Sequence, residues 1–157
     1  MKHLTLFRHA KTERESTTGR DFDRVLNERG EKDAARMGAE IRTLGFDYDL
    51  ILVSPAARAA QTAELAGLTP RFDERIYDAP ASDLFAIVQQ VEDGVGHPLI
   101  IGQNPDFERL ASSLIGQELD KPTGSLVEIV VPVDHWSEIE PGRGRLASFI
   151  KPKELAA

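Results

Sequence analysis

A chain of 157 residues without cysteine excludes disulfides, a cysteine nucleophile and any thiolate metal site, and its length is that of one domain able to bury a real core. With 19 basic and 26 acidic residues the net charge is −7, which argues against a nucleic-acid-binding face and means that a phosphate would have to be held by a local cluster of cations. The N-terminal apolar run, residues 4–7, is shorter than the about 7–15 apolar residues of a signal peptide, and no stretch approaches the about 20 of a membrane helix. A cytoplasmic protein engaging neither membrane nor nucleic acid is expected.

In chain order, residues 4–7 (Leu-Thr-Leu-Phe) read as a short strand ending abruptly in Arg8-His9. The charged, polar stretch 11–24 reads as a loop. Asn27 suits an N-cap, and Ala34, Met37, Gly38, Ile41 and Leu44 recur at helical spacing before Gly45 stops the helix, predicting a helix over 28–44. The unbroken apolar run Leu50-Ile51-Leu52-Val53 predicts a strand buried on both faces. Ser54 as N-cap and Pro55 in the first turn then open a helix over about 56–66. A weaker strand is expected over 71–77 and a helix over about 82–92, whose stripe Leu84, Ile87, Val88 and Val91 is core. Leu99-Ile100-Ile101 is a further buried strand, and Gly102-Gln103-Asn104-Pro105 opens a helix to about residue 114. Strands over 125–133 and 146–150 follow, with Gly142-Arg143-Gly144 as the turn between them and a loose tail after residue 152. Alternating strands and helices, without repeat or linker, predict one α/β domain spanning residues 1–157 with helices on both faces of a sheet.

Three apolar runs end in polar clusters that lead into helices: Arg8-His9, Ser54 to Arg58, and Gly102 to Pro105. If the strands are parallel, right-handed crossovers bring all three ends to one sheet edge, where ligands of open α/β sheets bind. Arg8, His9, Arg58 and Gln103 then converge. Taken singly, Arg8-His9 is compatible with a solvated strand end, and Gln103-Asn104-Pro105 with a simple helix-entry turn. Arg58 carries more information. A cation in the first turn of a helix opposes the macrodipole by about 0.3–1 kcal/mol, a conflict that a bound anion would remove.

These segments resemble the motifs of the histidine phosphatase (phosphoglycerate mutase-like) superfamily. Leu6-Phe7-Arg8-His9-Ala10-Lys11 is similar to its Arg-His-Gly/Ala motif, and Ser54-Pro55-Ala56-Ala57-Arg58-Ala59-Ala60-Gln61-Thr62 to its Ser-Pro-x-x-Arg-x-x-Gln-Thr motif. Arg24-Val25-Leu26-Asn27-Glu28-Arg29-Gly30 resembles the segment that opens the family's first helix, and Gly102-Gln103-Asn104-Pro105 its Gly-His-Asn-Pro motif. Order, spacing and chain length are most like the SixA-type phosphohistidine phosphatases. The resemblance implies a three-layer α/β/α sandwich with a mostly parallel central sheet. It implies His9 as nucleophile, a phosphohistidine intermediate, and a clamp of Arg8, Arg24 and Arg58 on the phosphoryl oxygens, with no metal and no cofactor. The chemistry needs these types, since guanidinium grips a dianion bidentately and imidazole is nucleophilic near neutral pH.

Gln103 stands where the family has a second histidine. An amide still donates a hydrogen bond but carries no charge, so the resemblance implies phosphate binding with a slower chemical step. Glu74, Asp78 and Asp83 are the candidate general acids. His3, His97 and His135 lack metal-ligand spacing, and no nucleotide-binding glycine loop is present. The leading expectation is therefore a phosphomonohydrolase acting on a phosphorylated protein, phosphohistidine first. The alternatives are a catalytically weak phosphate- or phosphoprotein-binding module of the same fold, and a phosphatase of small phosphate esters.

Overall fold

The apolar runs of the sequence become neighbouring strands in a computed structural model that describes residues 1–120 and 122–155. The main elements in chain order are β1 (Lys2–Arg8), α1 (Glu28–Leu44), β2 (Leu50–Val53), α2 (Ala57–Leu65), β3 (Arg71–Phe72) and α3 (Ala81–Gln89). They continue with β4 (Pro98–Gly102), α4 (Asp106–Ile115), β5 (Leu126–Val131) and β6 (Arg145–Ile150). The strands form one six-stranded sheet in the order β3-β2-β4-β1-β5-β6. Pairings among β1 to β4 are parallel, and β5 runs antiparallel to both β1 and β6.

Unbroken apolar strands are explained by helices on both faces. Successive residues of a strand point to opposite sides, and here Leu6, Leu52 and Ile100 join a cluster with Leu84, Val88 and Leu110 of α3 and α4. Their immediate successors Phe7, Val53 and Ile101 pack with Met37, Ile41 and Ala63 of α1 and α2. A sheet between two helical layers therefore favours apolar side chains at successive strand positions, as Leu50–Val53 and residues 99–101 supply, while the buried Thr5 of β1 keeps a partner in His97. The result is a three-layer α/β/α sandwich with a mostly parallel sheet.

Register decides where the site can be. Arg8 at the end of β1 pairs with Gly102 at the end of β4, and Val53 at the end of β2 pairs with Ile101. The three carboxyl ends are thus level on one edge, as parallel strands joined by helical crossovers require.

Helix α1 has the expected bounds: the Asn27 side chain accepts from Gly30 N, and Gly45 closes the helix at φ 71°. Other boundaries differ for local reasons. β3 is two residues long because the Asp73 carboxylate accepts from Arg75 N and folds Glu74–Ile76 into a 3-10 turn. Ala56, not Ser54, is the N-cap of α2, while Ser54 Oγ accepts from Ala56 N at 3.3 Å, so Pro55 precedes the helix. The segment after residue 150 is packed rather than loose. Pro152–Glu154 forms a 3-10 turn with Pro152 buried, and Leu155 lies against the α1/α2 cluster; the end of the expected tail, 156–157, lies outside the described residues. No described helix is long and apolar enough to cross a membrane.

Candidate active site

His9 follows β1 directly, and its backbone is held from three sides. His9 N donates to Gly102 O at 2.9 Å, and His9 O accepts from Gly124 N at 2.9 Å. Ala10 N donates to Thr62 Oγ1 at 3.1 Å, and that hydroxyl donates to Arg58 O at 2.7 Å. The loop carrying His9 is thereby tied to the helix carrying Arg58. Two glycines permit the close approach: a Cβ on Gly30 would lie 2.0 Å from Lys11 O, and Gly124 adopts φ +73° with a Cβ position 2.9 Å from Pro152 Cγ.

The His9 ring is buried, at 8% exposure. Its Nδ1 lies 2.7 Å from Ala10 O. A carbonyl oxygen only accepts, so Nδ1 carries the hydrogen and Nε2 keeps the lone pair of the neutral ring. Burial pushes the His9 pKa down to about 4, with the charges of Arg58, Arg8 and Arg24 adding to the effect and the Ala10 hydrogen bond opposing it. The imidazole is neutral at pH 7.

The three arginines are held differently. Arg58, in the first turn of α2, is 4% exposed and donates to Asp21 O at 2.8 Å, to Asp21 Oδ2 at 2.9 Å and to Gln103 Oε1. Arg24 donates from Nη1 to Asp21 Oδ1 at 3.2 Å, from Nη2 to Thr12 Oγ1 at 2.6 Å and from Nε to Glu13 O at 3.1 Å. Arg8 is partly buried, which lowers its pKa against the opposing fields of Glu108 and Asp120. The conflict between Arg58 and the helix dipole is relieved within the protein, by the Asp21 carboxylate.

Asp21 is thus shared between two guanidiniums and also accepts from Tyr77 Oη at 3.0 Å. Its partial burial would raise its pKa, but the hydrogen bonds from Tyr77 and Arg58 and the Arg58 charge win and hold it below the usual carboxylate range. Gln103 bridges to the other side, accepting from Arg58 through Oε1 and donating from Nε2 to Asp78 Oδ1 at 2.9 Å. A guanidinium only donates and a carboxylate only accepts, so these partners fix the amide's orientation. Asp78 has φ 55°, uncommon for a residue with a Cβ.

Arg8, His9, Arg24, Arg58 and Gln103 all line one open cleft of about 590 Å³. Of the three candidate acids, Asp78 lines it too, whereas Glu74 and Asp83 are exposed on the turn before α3 and in its first turn. Sequence reasoning missed Asp21 and Tyr77, and assigned no task to Thr62 or to Gln61, whose Oε1 accepts from Leu26 N at 2.7 Å. An acid three residues before Arg24 was the available signal for Asp21. Among the described residues no group of three or more His, Asp or Glu is arranged to hold a metal ion. His3, His97 and His135 all lie outside the residues lining the cleft.

The cleft is therefore a cationic pocket around a neutral imidazole, and comparison with known proteins meets the same architecture. The model of the histidine phosphatase superfamily (branch 1) matches residues 4–80. An uncharacterised protein of Mycobacterium tuberculosis is 30% identical over 145 residues, covering 85% of this chain and 92% of its own. Among solved structures, a protein assigned as the phosphohistidine phosphatase SixA from Agrobacterium tumefaciens superposes with a TM-score of 0.82 at 27% identity, covering 96% of this chain and 99% of that one. A second, assigned likewise, from Nakamurella multipartitia, reaches a TM-score of 0.86 at 21% identity and covers 96% of both chains.

Proposed function

The chain belongs to the histidine phosphatase superfamily, and from that premise we propose that it is a cytoplasmic phosphohydrolase working through a phosphohistidine at His9. One observation carries the reading. The Nδ1 of a buried imidazole is committed to Ala10 O, leaving an Nε2 lone pair on a ring lining a cleft with three arginines. Nε2 attacks phosphorus in line as the bond to the substrate's leaving atom breaks, and the Nδ1–H···O bond stabilises the imidazolium character that develops. Arg8, Arg24 and Arg58 offset the charge on the equatorial oxygens, the task a metal ion performs elsewhere. The leaving group takes up a proton from solvent water on the Asp78 side of the cleft, and a proton returns to solvent in the hydrolysis that follows. Water then attacks phospho-His9, releasing phosphate and restoring the neutral ring.

The proposed substrate is a phosphohistidine on a protein. The SixA-like relatives carry that activity in their names, and an open cleft admits a side chain projecting from a surface. One observation favours the second reading, a phosphoprotein-binding module with weak turnover. Gln103 turns its carbonyl oxygen to Arg58 and an N–H to Asp78, where the family's histidine would serve the phosphoryl group.

Rapid-quench labelling with a radiolabelled phosphohistidine protein separates the two. A phosphoryl group recovered on His9, formed and discharged at the same rate in the presence of EDTA, is expected for the enzyme. Phosphate binding without label on His9 selects the module, and EDTA-sensitive turnover overturns the metal-free mechanism.

A further inference from the structure

Beside the phosphoryl cleft lies a second depression of about 210 Å³, and the two share Lys11 and Thr123. Its charged lining is Lys11, Arg29, Lys151 and Lys153 against one carboxylate, Asp33, in a chain whose net charge is −7. Asp33 is buried and committed to Arg29 at 3.1 Å and Arg36 at 3.8 Å, so it does little to offset the lysines. Among the described residues no ion pair engages Lys11, Lys151 or Lys153. Three separate segments bring these cations together. Lys11 comes two residues after His9, Arg29 lies in the first turn of α1, and the two lysines flank Pro152 in the turn packed on α1. Pro122 and the buried Pro152 stiffen the walls.

Resting on the reading of the adjoining cleft as a phosphoryl site, we propose that this groove receives an acidic stretch flanking the phosphorylated residue of a protein substrate. Continuity through Lys11 means that a chain with its phosphoryl group at His9 runs straight onto the lysines. At roughly 3.3 Å per extended residue, carboxylates a few positions from the phosphorylated residue come within reach of them. Complementary charge of this kind raises encounter rate and selects partners. A nucleic acid fits less well. Single strands are held by aromatic faces, yet the lining residues include no aromatic, and the nearby Phe149 ring has Lys151 Nζ 4.9 Å from its centroid.

The test uses fluorescence anisotropy with two peptides carrying a non-hydrolysable phosphonate analogue of phosphohistidine, one flanked by four glutamates and one by four glutamines. The full-length protein should bind the acidic peptide about tenfold more tightly, as several modest ion pairs acting together provide. The Lys151→Glu/Lys153→Glu variant should lose that preference, as should the native protein in 0.5 M NaCl, while the neutral peptide binds equally to both forms. Turnover of para-nitrophenyl phosphate should be unchanged in the variant. Lys153→Gln alone, at an exposed position, should reduce the preference severalfold and serves should the double variant fail to fold. Equal affinity of the two peptides for the native protein overturns the proposal, as does a preference that survives both variants. Lysine-dependent capture of a single-stranded oligonucleotide without any peptide preference also overturns it, in favour of a nucleic-acid face. Absence of ester turnover and of phosphohistidine hydrolysis in the native protein would count against the phosphohydrolase reading alone, because the peptide preference is a binding measurement and still decides the groove.

Discussion

Two histidines at opposite ends of the sheet look alike to a titration argument and are chemically different. His9 follows the carboxyl end of β1, while His97 precedes β4 at the other edge. Both have pKa values lowered chiefly by burial. His97, however, uses Nε2 in a 2.8 Å hydrogen bond with Thr5 Oγ1, and its ring stands edge-on to Tyr48 with centroids 4.7 Å apart. Glu128 opposes the lowering of its pKa, whereas around His9 three arginines reinforce it. His9 spends only Nδ1 and lines a cleft. Low basicity therefore marks burial. A nucleophile needs in addition an uncommitted nitrogen and a charged receptacle for the group it attacks.

The largest expected effect tests that difference directly. His9→Gln should lower kcat/KM on phosphohistidine protein by at least about 10⁴-fold, since it removes the atom that forms the intermediate. His97→Gln should leave kcat/KM within about threefold while costing about 1–2 kcal/mol of stability, through the lost hydrogen bond and ring packing. Kinetics and urea melts on both variants check this. Comparable activity losses in the two would erase the distinction.

A smaller effect sharpens the character of the His9 side. Gln103→His would place an imidazole between Arg58 and the Asp78 carboxylate. The Asp78 carboxylate and a bound phosphoryl dianion favour the protonated ring against the charge of Arg58, and that ring would present an N–H and a charge to the phosphoryl group. The Gln103 amide, with Oε1 on Arg58 and one N–H on Asp78, brings no charge. An interaction that strengthens as charge moves in the transition state raises kcat more than ground-state affinity. We expect kcat to rise about ten- to a hundredfold, with phosphate affinity changing much less. Single-turnover phosphorylation of His9 at equal rates in both forms would show Gln103 to be a working substitute.

The contrast between the two sheet ends also explains what the sequence made legible. The strand ends could be read because burial on both faces leaves a continuous apolar signal in Leu50–Val53 and Leu99–Ile101, and α1 because Asn27 and Gly45 punctuate it. These are local effects. Asp21 could not be read, because its importance comes from the loop 11–26 folding over α2, a long-range arrangement closed by the isolated Thr12–Leu26 bridge and carrying no periodicity. The same holds for Gln103, whose type was visible but whose orientation depends on Arg58 and Asp78, 45 and 25 residues away in sequence. Asp78 could not be separated from Glu74 and Asp83 by composition. Only the turn at residues 74–78 sets its carboxylate against the cleft.

The smallest expected effect is the share of the pH dependence of folding stability that His9 contributes, which its own variant isolates. With a native pKa of about 4 and an ordinary unfolded value of about 6.5, the unfolded chain binds the His9 proton first as pH falls. Stability from this group is complete above pH 6.5 and declines as the pH drops towards 4, where the native state takes up the proton as well. At pH 5.5 the loss relative to pH 8 is on the order of 1 kcal/mol. His9→Gln removes it, so the stability difference between native protein and variant should shrink or reverse in the variant's favour by that amount between pH 8 and 5.5. The lowered pKa values of His97 and Asp21 tilt both proteins alike and drop out of the comparison to first order. Urea melts of the two proteins at both pH values give the number. A difference independent of pH would mean that His9 is protonated in the native cleft at pH 5.5, and a protonated ring has no lone pair with which to attack phosphorus.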